Sequence, residues 1–370
     1  MNYLFFCCNI LFFSNWCLTD NESIEWEVML KARKDKSDYF APMQFATLFS
    51  DGKGMLLSGG GSDLHQNTSR PTLFRSLDDG INWAPVFVGK KNQFSLYAFQ
   101  ELANKKLIGI VPDSLLYSSD YGKTWIEKVM PGTGLSMNQG NGVLLVSKNP
   151  NELYRSTDNG ETFNRVRYSY ERGCDNLRAI SFVDGVFYIG VGDESSKTSR
   201  HARVFRSIDL GMTWTKIFDQ TGSGSEPFIV FSIFAVNKDC VLIGTGGTEQ
   251  GKASIYKTID GGKRWAKVLS TADIDKSITI VRSFYRDPDN KRLYVLLDCS
   301  YASSNPSSDE PDNNTNSCIL FSTDEGNTWK IFSKTHTKRL YWMTKTKSGH
   351  LLCSTGEYGQ ILRSAQLAPS

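Results

Sequence analysis

Ser76-Leu77-Asp78-Asp79-Gly80-Ile81-Asn82-Trp83 is the first of six copies of one short phrase, in which a Ser or Thr, an Asp, a Gly and a Trp or Phe keep fixed places over eight residues. The other copies occupy residues 118–125, 156–163, 207–214, 258–265 and 322–329. Their aspartates, Asp78, Asp120, Asp158, Asp209, Asp260 and Asp324, recur at roughly the 40 to 60 residue period expected of a propeller or repeat array. Each phrase follows a short apolar stretch such as Leu115-Leu116-Tyr117 and precedes another such as Trp214-Thr215-Lys216-Ile217, so it joins two strands as a hairpin turn. An Asp carboxylate in a turn accepts hydrogen bonds from amides two or more residues on, and Gly supplies the positive φ of a tight reversal. The aromatic residue opens the next strand and buries its ring between neighbouring sheets. These aspartates are structural staples, not catalysts.

The six segments resemble the Asp-box, or BNR, repeat of the sialidase superfamily, in which the box joins the third and fourth strands of a propeller blade. The resemblance implies an all-β fold, a single β-propeller domain over residues 20–370. It does not imply sialidase activity, because Asp boxes also occur in xyloglucanases, sortilin-type receptors and photosystem assembly factors. Composition agrees: 40% hydrophobic residues, 31 glycines and no long helical period describe an all-β domain with a substantial core. A formal charge of +3 over 370 residues supplies no strong field for nucleic acid or an anionic membrane.

Reading back from each box gives six units of four strands, beginning near Gln44, Ser95, Leu135, Arg178, Phe231 and Ile280. Behind them residues 340–346, 350–354 and 360–364 make three strands of a seventh unit that lacks its box. The missing strand is available upstream, where residues 24–30 look like the segment after every other box. Giving this first strand to the last blade closes the ring and removes both open edges. Seven four-stranded blades are therefore expected, with six as the alternative because sialidases have six.

The N-terminus differs in kind. Residues 3–17 are an apolar run of about the length of a signal-peptide core and too short for a comfortable membrane span. It reads as a signal peptide over residues 1–19, cleaved between Cys17 and Asp20, although no Lys or Arg precedes it and no A-x-A site is evident. A secreted or extracytoplasmic chain with no membrane span after processing follows. Cys299 and Cys318 then bracket a polar insertion between two strand ends, where a disulfide is expected. No C-x-x-C or Cys/His cluster points to zinc, and neither a metal nor a cofactor is expected. Sequons stand at Asn21, Asn67 and Asn313.

In a four-stranded meander the first and third turns share one face, so the boxes pave that face and the second turns lie opposite. The second-turn loops near residues 59–70, 192–202, 245–253 and 299–318 are long, as befits a binding surface shaped on a rigid ring. Arg178 and Arg282 open inner strands there, with Arg339 just before the seventh, and their guanidinium groups suit a carboxylate ligand. Tyr341 and Trp342 suit stacking on a sugar ring, with core packing as the alternative. Asp193, Glu194, Asp298 and Glu357 follow second strands, and carboxylates at suitable separation would permit glycoside hydrolysis. Solvated loop charges are the plainer account of them.

Against true sialidases the comparison is mostly negative. Their first blade carries an Arg-Ile-Pro type motif, whereas the matching stretch here is Ala41-Pro42-Met43-Gln44-Phe45-Ala46 and has no arginine. The segment at 246–253 approaches a phosphate-binding loop, but Ala253 stands where Ser or Thr is needed and a strand follows. Two function classes remain. The favoured one is a non-catalytic secreted propeller binding a glycan or an extracellular protein on the long-loop face, without nucleic acid; the other is a glycoside hydrolase with a divergent site.

Overall fold

The apolar stretches on either side of each eight-residue phrase fold as strands, and the phrase between them is a tight turn. A computed structural model describes residues 24–31, 44–61, 70–90, 96–111, 113–130, 134–148, 152–169, 176–192, 200–222, 229–247, 253–299, 317–335, 339–356 and 359–367. The expected signal peptide, the three sequons, most of the long second-turn loops, and Asp193, Glu194 and Glu357 lie outside the described residues.

After β1 (Trp26–Lys31), the strands pair as successive antiparallel meanders of four. The first group is β2 (Gln44–Ser50), β3 (Leu56–Gly61), β4 (Thr72–Ser76) and β5 (Ala84–Val88). The second is β6 (Ala98–Glu101), β7 (Leu107–Val111), β8 (Ser114–Ser118) and β9 (Ile126–Val129). The third is β10 (Met137–Gly140), β11 (Val143–Lys148), β12 (Glu152–Ser156) and β13 (Asn164–Val166). The fourth is β14 (Asn176–Val183), β15 (Val186–Gly192), β16 (Arg200–Ser207) and β17 (Thr215–Gly222). The fifth is β18 (Ile229–Ala235), β19 (Val241–Gly246), β20 (Ser254–Thr258) and β21 (Ala266–Ser270). The sixth is β22 (Ile280–Arg286), β23 (Leu293–Asp298), β24 (Ser317–Ser322) and β25 (Lys330–Thr335). The last is β26 (Leu340–Lys345), β27 (His350–Thr355) and β28 (Gln360–Leu367), completed by β1.

The closure expected from the sequence is present. β1 pairs antiparallel with β28, Trp26 opposite Ser364 and Lys31 opposite Gln360. The first strands of the groups touch one another in a closed cycle, β2 to β6, β10, β14, β18, β22, β26 and back to β2. This is the arrangement of a β-propeller, with short edges turned outward around a central channel.

Each interface between neighbouring groups holds its own hydrophobic cluster. Second-strand glycines allow the close approach: a Cβ on Gly190 would sit 2.6 Å from Val230, and one on Gly244 would sit 2.4 Å from Val281. The closing interface has the smallest apolar filling, four buried residues (Leu48, Leu56, Leu352 and Ile361) against twelve between the fifth and sixth groups. Closure therefore leans on β1 and on polar contacts.

The six turns share one hydrogen-bond network. The leading Ser or Thr hydroxyl donates to the Asp carboxylate at 2.7–2.9 Å and accepts the Gly amide at 2.7–3.0 Å. The residue before the aromatic gives its amide to the same carboxylate at 2.9 Å in all six. Its side chain (Asn82, Thr124, Thr162, Thr213, Arg264 or Thr328) returns to the second oxygen at 2.5–2.9 Å. Two successive residues have positive φ, as in Asp79 (66°) and Gly80 (80°) or Leu210 (56°) and Gly211 (87°), which is what a type I′ reversal needs. A non-glycine residue held there costs roughly 1–2 kcal/mol, which the network offsets.

Neighbouring groups are also strapped together at these turns. The residue just before the Ser or Thr reaches the turn of the next group: Tyr117 Oη donates to the Gly160 carbonyl (2.6 Å), Arg155 Nε to the Leu210 carbonyl (2.9 Å) and Lys257 Nζ to Asn327 Oδ1 (2.8 Å). Arg75 lies 5.3 Å from the Tyr121 ring centroid. Across the closing joint Arg363 Nη2 donates to Asp79 at 3.1 Å, and Asp79 also accepts the Ser348 amide and hydroxyl.

The expected disulfide is not formed. Cys299 and Cys318 are separate buried thiols, and Cys299 Sγ lies 3.7 Å from Ser317 Oγ. Cys318 stands opposite Leu297, so Cys299, two residues further on, is its diagonal neighbour. Diagonal pairs are about 7–8 Å apart, beyond the Cα separation that a disulfide spans. Burial pushes the Cys318 thiol up to about 11, so it stays protonated at neutral pH.

Two outcomes are expected. Deleting residues 20–31 should lower the melting temperature of the whole domain, and Asp79→Ala should cost on the order of 1 kcal/mol by freeing Arg363 and Ser348; unchanged melting of both would separate closure from stability. Hydrogen bonds from Thr124 and Thr162, and from the Arg264 amide and side chain, hold Asp120, Asp158 and Asp260 at about 2, below the ordinary 3.8. A carboxyl depressed in the folded state stabilises above its unfolded value, and that stability is lost as pH falls toward the folded value. Stability should accordingly drop between pH 3.8 and about 2, with a shallower slope in Asp120→Asn, read by denaturant titration at successive pH values.

Candidate functional site

The first strands of the groups begin at the face opposite the eight-residue turns, and five of them carry a bulge at the same step. The register slips by one residue at Ala46 in β2, Arg178 in β14, Phe231 in β18, Arg282 in β22 and Tyr341 in β26. A bulged residue is left out of the ladder and its side chain is re-aimed. In the last four groups these residues alternate between arginine and aromatic, and they meet.

Arg178 and Arg282 each lie 5.2 Å from the Phe231 ring centroid, and Arg282 lies 5.1 Å from that of Tyr341. Such separations are within cation–π range. The row continues to Arg339: a Cβ on Gly356 would come within 2.7 Å of both Arg339 and Tyr341, so both side chains pack against that glycine. Thus Arg178, Arg282, Arg339 and Tyr341, singled out from the sequence, are brought into one continuous row. Trp342 follows on the same inner strand with 39% of its surface exposed, so it is not a core residue.

Asp298 joins this row in a role that the sequence did not reveal. It is the last residue of β23, wholly buried, and its Oδ2 accepts Arg282 Nε at 2.9 Å and Nη2 at 2.8 Å. A carboxylate held this way orients the guanidinium between the Phe231 and Tyr341 rings and cancels its charge. It does not stand at a rim where acid/base chemistry needs it. The equivalent cross-strand position in the fourth group is Gly192, opposite Asn176, as Asp298 is opposite Ile280.

Phe231 is the functional residue that sequence reading passed over. It marks an inner-strand start like Arg178 and Arg282, and only the shared bulge position sets it between them. A second polar cluster sits at the start of β16, where Asp219 is bonded to His201 (2.9 Å), Arg203 (3.2 Å) and Lys216 (2.8 Å). Partial burial alone would push its carboxyl up, but the hydrogen bonds of Lys216 and His201 with the Arg203 charge hold it below the ordinary value. Among the described residues no group of three His, Cys, Asp or Glu side chains could hold a metal ion, and no helix is long and apolar enough to cross a membrane.

Comparison with known proteins places this geometry among propellers. The profile of the Sortilin-Vps10 family, described as sortilin, neurotensin receptor 3, matches residues 202–367. No curated protein matches the chain. The structure titled YCF48 bound to D1 peptide superposes with a TM-score of 0.62 at 14% identity, covering 94% of this chain and 96% of that one. The extracellular domain of the one-component system BT4673 from B. thetaiotaomicron superposes with a TM-score of 0.62 at 12% identity, over 94% of this chain and 40% of that one. The WD40 β-propeller domain of Doa1 gives 0.58 at 10% identity over 93% and 98%. The chain is a β-propeller, of the kind seen in sialidase and Vps10 proteins.

Removing one partner from a buried ion pair strands the other charge. Arg282→Ala should therefore destabilise the domain by about 3–5 kcal/mol through Asp298, and Arg282→Ala with Asp298→Ala should recover much of the loss. A thermal melt of both variants checks this, and equal melting of the two would deny the coupling.

Proposed function

We propose that this chain is an extracytoplasmic, seven-bladed Asp-box propeller that binds a protein partner, through an acidic peptide segment, on the face opposite the boxes. The row of Arg178, Phe231, Arg282, Tyr341 and Arg339 at the inner-strand starts carries the reading. Rings and guanidinium groups in alternation offer apolar contact and charge-assisted donors at one mouth. Arg282 is neutralised by Asp298, so Arg178 and Arg339 are the groups assigned to a ligand carboxylate. The likeness to a propeller solved with a peptide and to extracellular domains supports both the partner class and the compartment. Export would be directed by the apolar run at residues 3–17.

The exposure of Trp342 favours one second reading, a glycan stacked on its ring. Hydrolysis gains nothing from Asp298, whose carboxylate is committed to Arg282. A peptide array of acidic sequences run beside a glycan array separates the readings. Arg178→Ala with Arg339→Ala should weaken an acidic peptide by tenfold or more, a loss of about 1.4 kcal/mol or greater, without a matching loss of melting temperature. Glycan binding abolished by Trp342→Ala, with no peptide binding, would replace the protein reading, and turnover of a fluorogenic glycoside lost in Glu194→Gln would replace both.

A further inference from the structure

The opposite face carries a separate feature. β1 runs from Trp26, opposite Ser364, to Lys31, and the Glu25 carbonyl accepts the Ala365 amide at 2.9 Å. Ser364 follows Arg363, which reaches the Asp79 turn, so the chain upstream of β1 enters at the turn-bearing face beside the first group. Only residues 18–23 separate the apolar run 3–17 from Ile24. Six residues reach at most about 20 Å.

At that entry point the surface is apolar. Leu77 and Ile81 on the turn of the first group, with Tyr121 and Ile126 on and just after the turn of the second, are between 46% and 67% exposed. The patch is continuous, because Tyr121 donates to Asp51 of the first group, Ser348 of the last group bonds Asp79, and a Cβ on Gly54 would lie 3.7 Å from Lys347. Exposed Lys53, Lys123 and Lys347 surround it. Asp51, Asp79 and Asp120 beside them are spent on turn amides, Arg363 and Thr124. By contrast the outer strands of the third to sixth groups expose Arg165, Lys216, Lys267 and Lys330.

We propose that the turn-bearing face around the last, first and second groups rests on a lipid bilayer, with residues 3–17 retained as an interfacial anchor. A helix of fifteen residues spans about 22 Å, short of the roughly 30 Å hydrocarbon core. One short apolar element gives only reversible attachment, and stable attachment takes two signals. Leu77, Ile81, Tyr121 and Ile126 supply the second within reach of the first. The lack of an A-x-A site ahead of Asp20 accords with retention. Asp20, Glu22, Glu25 and Glu27 on the tether offset the three lysines, so the attachment is apolar and insensitive to salt. The mouth with Arg178 and Arg339 then faces away from the bilayer, but attachment itself does not depend on what that mouth binds.

Co-sedimentation of the full chain with phosphatidylcholine vesicles tests this, together with intact mass of the chain recovered from a membrane fraction. The full chain should retain residues 1–19 and partition to vesicles equally at low and high salt. Leu77→Glu with Ile81→Glu should lower partition at least tenfold while melting and peptide binding stay unchanged, and removal of residues 1–19 should lower it further. Recovery of the chain without residues 1–19 would overturn the proposal. So would undiminished partition of the double variant, or a loss of self-association in that variant with no change in vesicle binding, which would assign the face to a second copy.

Discussion

The reach of one side chain from the third strand of a group to the turn of the next is the contact on which the ring depends. It works because the turn it meets is already rigid: the Asp carboxylate, the Ser or Thr hydroxyl and the residue before the aromatic saturate one another, so the outward carbonyls of Gly160 and Leu210 stand at fixed positions. A flexible turn would make the same strap entropically costly. The apolar clusters fill each interface without fixing its angle, since hydrophobic burial is non-directional. Polar straps at the rim supply the missing direction. At the closing joint, where the cluster is smallest, Arg363 and Asp79 do this for a group that has no turn phrase of its own.

Most of this was legible in the sequence, because a repeated phrase exposes its own logic. Position one, the Asp, the Gly and the aromatic announced a turn, and the absent fourth strand announced β1. Two further positions of the phrase carry equal weight and went unread. The residue before the aromatic is Thr in four of the six copies and closes the carboxylate network, and the residue before the Ser or Thr is Arg, Tyr or Lys in the copies that strap. A side chain aimed at the next group has no local signature. Its partner is some fifty residues away. The disulfide failed for a related reason: flanking an insertion brings two cysteines near each other, but register places Cys318 opposite Leu297 rather than Cys299.

The candidate site was legible only in its members. Arg178, Arg282 and Tyr341 each open an inner strand, yet what joins them is a bulge repeated at one step of the ladder, and bulges leave little trace in composition. Phe231 could have been found by asking which residue fills the same step in the fifth group. Asp298 could not, since a carboxylate at the end of a strand looks the same whether it faces solvent or lies wholly buried against a guanidinium.

That burial changes the electrostatics of the whole mouth. Two arginines on either side of Phe231 suggest a doubled positive charge, but the Arg282–Asp298 pair contributes almost no net field at the distance of a ligand, whereas the fourth group has Gly192 at the corresponding position. The row is therefore graded. Its centre is a neutral stack of ring, guanidinium and ring, and its cationic ends are Arg178 and Arg339. A ligand matched to it would place apolar groups over Phe231 and Tyr341 and carboxylates outside them, a spacing of charge around an aliphatic or aromatic centre that a peptide supplies readily. The turn-bearing face offers no such gradient, because each of its six aspartates is already consumed by the turn that holds it. Chemistry spent on holding the ring together at one face is what leaves the strand starts at the other free to diverge.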